Sequence, residues 1–452
     1  MAEENWHRSS WRSKTVDQMP RWDSAVCTNA FEELAKLPSL VFAGEIRILQ
    51  SMMRNVASGK AFILQCGNCA EEFSDCHGPK IHHFLKIILQ MAFVLSCVGG
   101  KRIIKIGRIA GQYAKPRSKD FETINGVMLP SFRGDMVNSV EPNPIARTPD
   151  PRRMIEGYFR SASTLNLIRA FMQGGYGEIR NARGWHTAFS KFFGDSSKYL
   201  DLVSRVTDFL RFSDVFREEG GHIFEDNVMF TSHEALLLDY EESMTRFDTT
   251  EGGWFDTSAH MLWVGERTRH PEHAHIEFLR GIVNPVGVKI GPGYSLSDIR
   301  KLFFLLNPGN EIGKVLFITR FGCSKAAEEL SPLLEMVMEE GLHVLWMCDP
   351  MHGNTYVNGS ERKTRSYDDI VGELDVFFSV LKSKGVMPAG VHLELTGENV
   401  TECVGGPQAL TDTDLEENYL SGCDPRLNML QALELAFHIG QHIAASSSDD
   451  NL

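Results

Sequence analysis

A chain of 452 residues, 42% hydrophobic and 23% charged, has room for one large barrel with additions or for two to three ordinary domains, and it shows no low-complexity tract or solenoid period. Its 46 Lys and Arg against 59 Asp and Glu give a net charge of -13, which repels nucleic acid over most of the surface and requires a local basic pocket for any anionic substrate. The longest apolar run, around Ile87 to Val98, is too short to span a membrane, Glu3 and Glu4 argue against a targeting peptide, and nine scattered cysteines predict reduced thiols in a cytoplasm.

Residues 1–60 predict an arm, with Trp6, Trp11 and Trp22 among polar residues, and a leading helix from Ala43 onward. Ala61 to Gln65 (AFILQ) reads as a short buried strand. Ile81, Leu85, Ile88, Ala92 and Leu95 then recur at helical spacing until Gly99-Gly100 stops the helix, and Ile103 to Ile106 is again short and apolar. Roughly 120 residues separate Arg108 from Asn227, far more than a barrel crossover needs. The excess predicts a helical insert at about 140–220, regulatory or oligomeric in role, with helices over Arg153 to Met172 and Lys198 to Phe212. Asp150 is placed to cap the first of these and Pro151 to open it.

From Val228 onward the rhythm is regular. Strands are expected at Val228 to Thr231, Met261 to Val264, Val286 to Ile290, Val315 to Thr319, Val344 to Met347 and Val391 to Leu395. Amphipathic helices separate them, most clearly over Ser324 to Glu340, Tyr367 to Lys384 and Asp424 to Ile443. Eight strands in this alternation favour an α/β fold, a closed (β/α)8 TIM barrel over residues 61–443, with a flexible tail at 444–452. An open doubly wound sheet is the alternative, although no G-x-G-x-x-G or Walker sequence follows any strand.

At or just past the eight strand ends stand Cys69, Arg108, Glu234, Glu266, Lys289, Arg320, His352 and Glu394. In a barrel that rim is where an active site is built. Cys69, His352 and Glu394, with Asp424 opening the last helix, form a set suited to Mn, Fe, Co or Zn rather than Mg or Ca. Each alone reads more often as a buried structural residue; their shared position is the signal. Two rival metal readings are weaker: Cys66-x-x-Cys69 lacks a second ligand pair, and His270 to His275 lacks H-E-x-x-H and opens a helix where its rings can be solvated. The cationic set is Arg108, Lys115, Arg117, Arg267, Arg269, Lys289 and Arg320, with Lys325 and Lys363 nearby. Turns rich in glycine and proline around these residues favour a phosphate and carboxylate cradle over a solvated basic face.

The motifs GRIAGQYAKPRS (Gly107 to Ser118), SFRGDMVN (Ser131 to Asn138), TSHEALLLDYE (Thr231 to Glu241), SAHMLWVGERTR (Ser258 to Arg269), NPVGVKIGP (Asn284 to Pro292), CDPMHGNT (Cys348 to Thr355), HLELTGENVTEC (His392 to Cys403) and CDPRLN (Cys423 to Asn428) resemble the type II 3-deoxy-D-arabino-heptulosonate 7-phosphate (DAHP) synthases. The likeness runs from about Trp6 to Ile443. It implies a barrel with an N-terminal extension and extra helices after strand two. The implied reaction condenses phosphoenolpyruvate with erythrose 4-phosphate, the opening of the shikimate pathway and so of aromatic amino acid biosynthesis.

The resemblance also implies roles. Metal ligands fall on Cys69, His352, Glu394 and Asp424, with Mn or Co the expected ion and Zn or Fe the alternatives. Phosphoenolpyruvate contacts fall on Arg108, Glu266, Arg267, Lys289 and Arg320, of which Lys289, Glu266 and Arg108 are the expected catalytic residues. Lys115, Arg117 and Ser118 are expected at the sugar phosphate, with Glu234 lining the cavity. A homo-oligomer, an aromatic amino acid effector and chorismate mutase are the implied partners, and neither nucleic acid nor membrane is expected. A paralogue serving secondary metabolism, and a catalytically silent scaffold, are the rival functions. Where the family usually reads G-G-D-C, this chain has Cys66-Gly67-Asn68-Cys69. Loss of the carboxylate at Asn68 is expected to retune the metal or a hydrogen bond to it, and Cys66 as a second thiol beside the metal ligand, with Cys423 just before Asp424, predicts a site sensitive to oxidation.

Overall fold

The computed structural model describes residues 6–22, 24–124, 126–177, 204 and 228–447. Eight parallel strands close into a barrel: β1 (Ala61–Gly67), β2 (Arg102–Arg108), β3 (Phe230–Glu234), β4 (Met261–Val264), β5 (Val286–Ile290), β6 (Val315–Thr319), β7 (Val344–Cys348) and β8 (Pro388–Glu394). Each pairs with its neighbours in chain order, and β8 closes on β1 with Ile63 opposite Gly390 and Gly67 opposite Glu394. All eight predicted strands are present, three of them with the predicted bounds.

Alternation along the strands divides two cores. Ile63, Ile104, Ile106, Phe230, Met261, Leu316, Ile318 and Met347 fill the interior. Phe62, Leu64, Cys66, Ile103, Val288, Phe317, Trp346 and Leu393 face outward, under the helical ring. Cys66 therefore points away from the rim, which corrects the expectation of a second thiol there. Gly67 follows it for a steric reason: at φ +157 a Cβ would lie 2.4 Å from the Arg108 carbonyl oxygen of the next strand.

The principal helices are α1 (Ser24–Lys36), α2 (Ala43–Ala57), α3 (Gly78–Gly99), α4 (Arg153–Gln173), α5 (Leu296–Leu306), α6 (Ala326–Glu339), α7 (Tyr367–Ser383) and α8 (Met429–Ser447). The leading helix α2 plugs the N-terminal end of the barrel, its Leu49, Met52, Met53 and Val56 joining the interior core. The arm before it is pinned by its tryptophans. Trp6 Nε1 donates to the Glu277 carbonyl (2.9 Å), Trp11 Nε1 to Glu242 (2.8 Å) and Trp22 Nε1 to Asp239 (3.0 Å).

Other boundaries shift. Helix α8 begins at Met429 rather than Asp424, because Pro425 disfavours a helical residue before it and Asn428 Oδ1 accepts from the Leu430 and Gln431 N–H groups as the true cap. It also runs on to Ser447, into the expected tail. The expected helix over Lys198 to Phe212 lies, Ser204 apart, outside the described residues. Helix α1 and three small hairpins, Phe121–Ile124 with Val127–Pro130, Thr245–Asp248 with Gly253–Asp256, and Thr355–Val357 with Lys363–Arg365, are additions to the predicted elements. By length and composition α3 could cross a membrane, but 72% of its apolar window is buried inside the fold.

Candidate active site

At the C-terminal rim the interior changes from apolar to polar or charged within one or two residues of each strand end. Arg108, at the end of β2, is buried and held in a fixed pose. Its Nη2 donates to the Cys69 carbonyl (3.0 Å) and lies 3.1 Å from Glu394 Oε1, and its Nη1 donates to His392 Nε2 (2.7 Å). His392 Nδ1 in turn donates to Gln65 Oε1 (2.8 Å), which fixes the neutral tautomer. Beneath the guanidinium lies Trp263, its ring 5.2 Å from Arg108 Cζ and 6.0 Å from Lys289 Nζ.

Lys289 ends β5 against Asp349, with which it forms a buried ion pair. Burial pulls the Lys289 ammonium down to about 8, against the opposing pull of Asp349. Burial also raises the Asp349 carboxyl, but His352 and Lys289 outweigh it and hold the group well below the usual range. Asp349 Oδ2 accepts from His352 Nδ1 (2.7 Å) and leaves Nε2 facing Glu394 Oε1 at 3.1 Å. That orientation is how a carboxylate presents an imidazole to a metal.

The four residues expected to bind metal do come together. His352, Glu394 and Asp424 have ligand atoms within 4.8 Å of one another, and Cys69 joins through Asp424, Sγ to Oδ2 3.5 Å. Glu394 Oε1 is fully buried and has no hydrogen bond, a lone pair left for a cation beside a thiol, an imidazole and a second carboxylate. The residues fit a borderline divalent ion. Cys423, not Cys66, is the second thiol: its Sγ lies 2.8 Å from that of Cys69.

Two cations anchor this group: Lys363, one of the expected nearby cations, and Arg365, which belongs to none of the predicted sets. Arg365, from the small hairpin, has its guanidinium wholly buried, with Nη2 2.7 Å from Glu394 Oε2, Nη1 donating to the Pro425 carbonyl and Nε donating to Thr355 Oγ1 (2.8 Å). Lys363 Nζ sits 2.9 Å from Asp424 Oδ1. Both belong to a polar stretch that reads as a solvated loop. Asp349, by contrast, was within reach, standing three residues before His352 at a strand end.

The remaining candidates form the cavity wall. Glu266 Oε2 accepts from Gly291 N–H (2.6 Å) while Oε1 pairs with Arg269, so Arg269 serves Glu266 rather than a ligand. Arg320 Nη2 donates to the His352 carbonyl (3.3 Å). Arg267 Nη2 donates to Ser118 Oγ (3.2 Å), which joins the GERTR and KPRS loops across the mouth. Lys115 is buried beside Cys423, whereas Arg117 is paired with Glu122 at 2.7 Å. Glu234 is half-buried, its Oε1 inaccessible and unbonded, and Gly265 makes room for it: a Cβ there would lie 2.2 Å from that oxygen.

The loop carrying Lys115 is set by a buried carboxylate. Glu71 accepts from the N–H groups of Ala110, Gly111 and Gln112 at 2.7 to 2.9 Å, which stabilises the left-handed Ala110 (φ 63). Burial nevertheless pushes the Glu71 carboxyl up to about 7. The rival histidines are structural. His273 pairs with Asp17 (2.6 Å), and His275, expected to be solvated, is buried against the Leu236 carbonyl (3.1 Å) because its short helix turns that face to the core.

Known proteins resemble this chain over nearly its whole length. Residues 6–440 match the model of the Class-II DAHP synthetase family. The phospho-2-dehydro-3-deoxyheptonate aldolase of Streptomyces coelicolor is 44% identical over 434 residues, 96% of each chain, and that of Neurospora crassa is 44% identical over 454 residues, 97% of this chain and 94% of its own. Among solved structures, a truncated 3-deoxy-D-arabino-heptulosonate 7-phosphate synthase from Thermotoga maritima matches with a TM-score of 0.34 and 12% identity, over 85% of this chain and 88% of its own.

Proposed function

This chain belongs to the class-II DAHP synthetase family, and from that membership we propose how its rim carries out the family's reaction. That reaction joins phosphoenolpyruvate, erythrose 4-phosphate and water into 3-deoxy-D-arabino-heptulosonate 7-phosphate and phosphate, depends on a divalent metal, and begins the shikimate pathway. Arg108, Arg267, Lys289 and Arg320, with Glu266, hold phosphoenolpyruvate. Lys115, Arg117 and Ser118 take the sugar phosphate, and Glu234 lines the space between.

Cys69, His352, Glu394 and Asp424 would hold the metal, manganese or cobalt in preference to zinc or iron. Bound there, it supplies Lewis-acid polarisation of the substrate aldehyde. The chain's cations do the rest of the positioning, turning C3 of phosphoenolpyruvate toward the aldehyde carbon. The C3 π pair forms the new carbon–carbon bond and leaves positive charge at C2. The aldehyde π pair moves onto its oxygen, which takes a proton from solvent. Water adds at C2 with one proton passing to the Glu266 carboxylate, and the C2–O bond to phosphate breaks as the C2 hydroxyl gives its proton to the departing phosphate and becomes the ketone. Lys289 and Arg108 stay charged opposite the carboxylate and phosphate throughout.

The observation that carries this reading is the convergence of Arg108, Lys289, His352 and Glu394 at one end of the barrel, linked by contacts of 3.1 Å or less. The test is phosphoenolpyruvate loss by chelator-stripped protein, with and without erythrose 4-phosphate and added metal. Consumption should require both, and full-rate loss without metal would overturn the assignment. A cytoplasmic location, a homo-oligomer, an aromatic feedback ligand and a chorismate mutase partner follow from family likeness. Sizing, titration with Phe, Tyr and Trp, and mixing with the mutase test the last three.

A further inference from the structure

The helical layer outside the barrel holds a second group of metal-type side chains, one that shares no residue with the rim. His438 and His442 stand four residues apart on α8 and so share one face of it. Their Nε2 atoms lie 2.6 and 2.7 Å from the same oxygen, Oδ1 of Asp375 on α7. The three ligand atoms fall within 4.8 Å of one another.

The rings are held rather than free. His442 stacks flat on Phe378, 4.7 Å between centroids and 5° between planes, and Phe378 stacks in turn on Phe62 of β1 at 6.4 Å. His438 meets His442 edge-on at 5.0 Å. All three side chains are partly open to solvent, 30%, 28% and 47% exposed for His438, His442 and Asp375. An ion can therefore arrive from water and keep water as a further ligand.

We infer that Asp375, His438 and His442 form a second divalent-metal site, of the zinc type, that ties α8 to α7. Two imidazoles and one carboxylate with open positions suit zinc, nickel or copper and exclude the all-oxygen chemistry of calcium and magnesium. Bonds of about 2.0 Å would set neighbouring ligand atoms roughly 3.3 Å apart in a tetrahedron. The two imidazole–carboxylate separations are shorter by roughly 0.6–0.7 Å, which small side-chain rotations supply. Without the ion, both rings donate to one carboxylate oxygen. With it, each ring takes the other tautomer and turns its Nε2 lone pair to the metal.

The place gives the clamp a purpose. Helix α8 lies between α7 and α3, where the last strand closes on the first. Gly440 sits so near Val98 that a Cβ would approach within 2.8 Å, and Gly99 is equally close to Ile443 at 3.0 Å. A metal at Asp375 fastens the other flank of the same helix, so the final element of the barrel is held on both sides.

The experiment uses full-length protein stripped by chelator and dialysed against zinc alone, with bound metal counted per chain. The unmodified protein should hold one equivalent more than His442→Ala. Copper(II) added to the unmodified protein should show the nitrogen hyperfine pattern of two imidazoles, and that pattern should be lost from the variant. Manganese-supported turnover should be the same in both, which separates this site from the rim. His438→Gln provides the same comparison if His442→Ala does not fold. Equal zinc counts with identical copper spectra would overturn the proposal.

Discussion

The two ends of the same eight strands obey opposite rules. At the N-terminal end, Ile63, Ile104, Phe230 and Met261 meet Leu49, Met53 and Val56 of α2 in an apolar plug. Two residues further along the same inward rows, Ile106 gives way to Arg108, Ile318 to Arg320 and Met347 to Asp349. Taking such ions out of water costs several kcal/mol each, which pairing only offsets. Fully burying an aliphatic side chain contributes about 1.5–3 kcal/mol. The plug therefore stabilises a barrel whose other end holds its charges out of water, where they interact strongly with one another and with a ligand.

Substitutions at the two ends should separate these roles. Lys289→Met is expected to lower kcat/KM by roughly 10²–10³ with little loss of stability, because it removes one charge aimed at the substrate. Steady-state kinetics beside thermal melts check it, and a large fall in melting temperature with unchanged kinetics would reverse the assignment.

Next in size, a mild dithiol oxidant should join Cys69 to Cys423, each thiol giving up a proton and an electron to it, and reduce activity more than about tenfold until a thiol is added. Cys423→Ser should resist the oxidant and Cys66→Ser should not. Equal protection by both would place the sensitive thiol elsewhere.

The pH profile follows from Lys289. Its folded value of about 8 lies below the ordinary 10.5, so the ammonium that holds the anion is lost as pH rises through about 8, and kcat/KM for phosphoenolpyruvate should fall roughly tenfold per unit above it. The stability sign is the reverse. The folded state binds fewer protons between about 8 and 10.5, so this group's destabilising contribution is full below 8 and is relieved across that window. A flat profile to pH 10 would remove Lys289 from anion binding. At the other end, Leu49→Ala should cost about 2–5 kcal/mol in denaturant unfolding and leave kinetics nearly unchanged.

The same contrast explains what was legible in the sequence. Buried parallel strands are written as short apolar runs, so all eight were readable, and their terminal residues marked the rim. Orientation was harder: Cys66 and Cys69 are three apart in sequence, yet one faces the helices and the other the mouth, because β1 ends at Gly67 and the chain turns. Arg365 was hidden because its stretch, Glu361 to Arg365, has the composition of a solvated loop, and only tertiary packing against Glu394 buries it. Asp424 was found by chemistry but placed on a helix that Pro425 delays to Met429. The tryptophans of the arm looked structureless locally, since their partners Asp239, Glu242 and Glu277 lie more than two hundred residues away.

The α2 plug has one more effect, on traffic. Among the described residues the stoppered base leaves the mouth as the doorway, so substrates come in and products go out by the same route. Arg108 and Lys289 lie at the floor of that passage, while Arg117 and Ser118 stand at its lip. In the proposed arrangement, with phosphoenolpyruvate on the floor residues and the sugar phosphate at the lip, phosphoenolpyruvate is seated first and the sugar phosphate shuts it in.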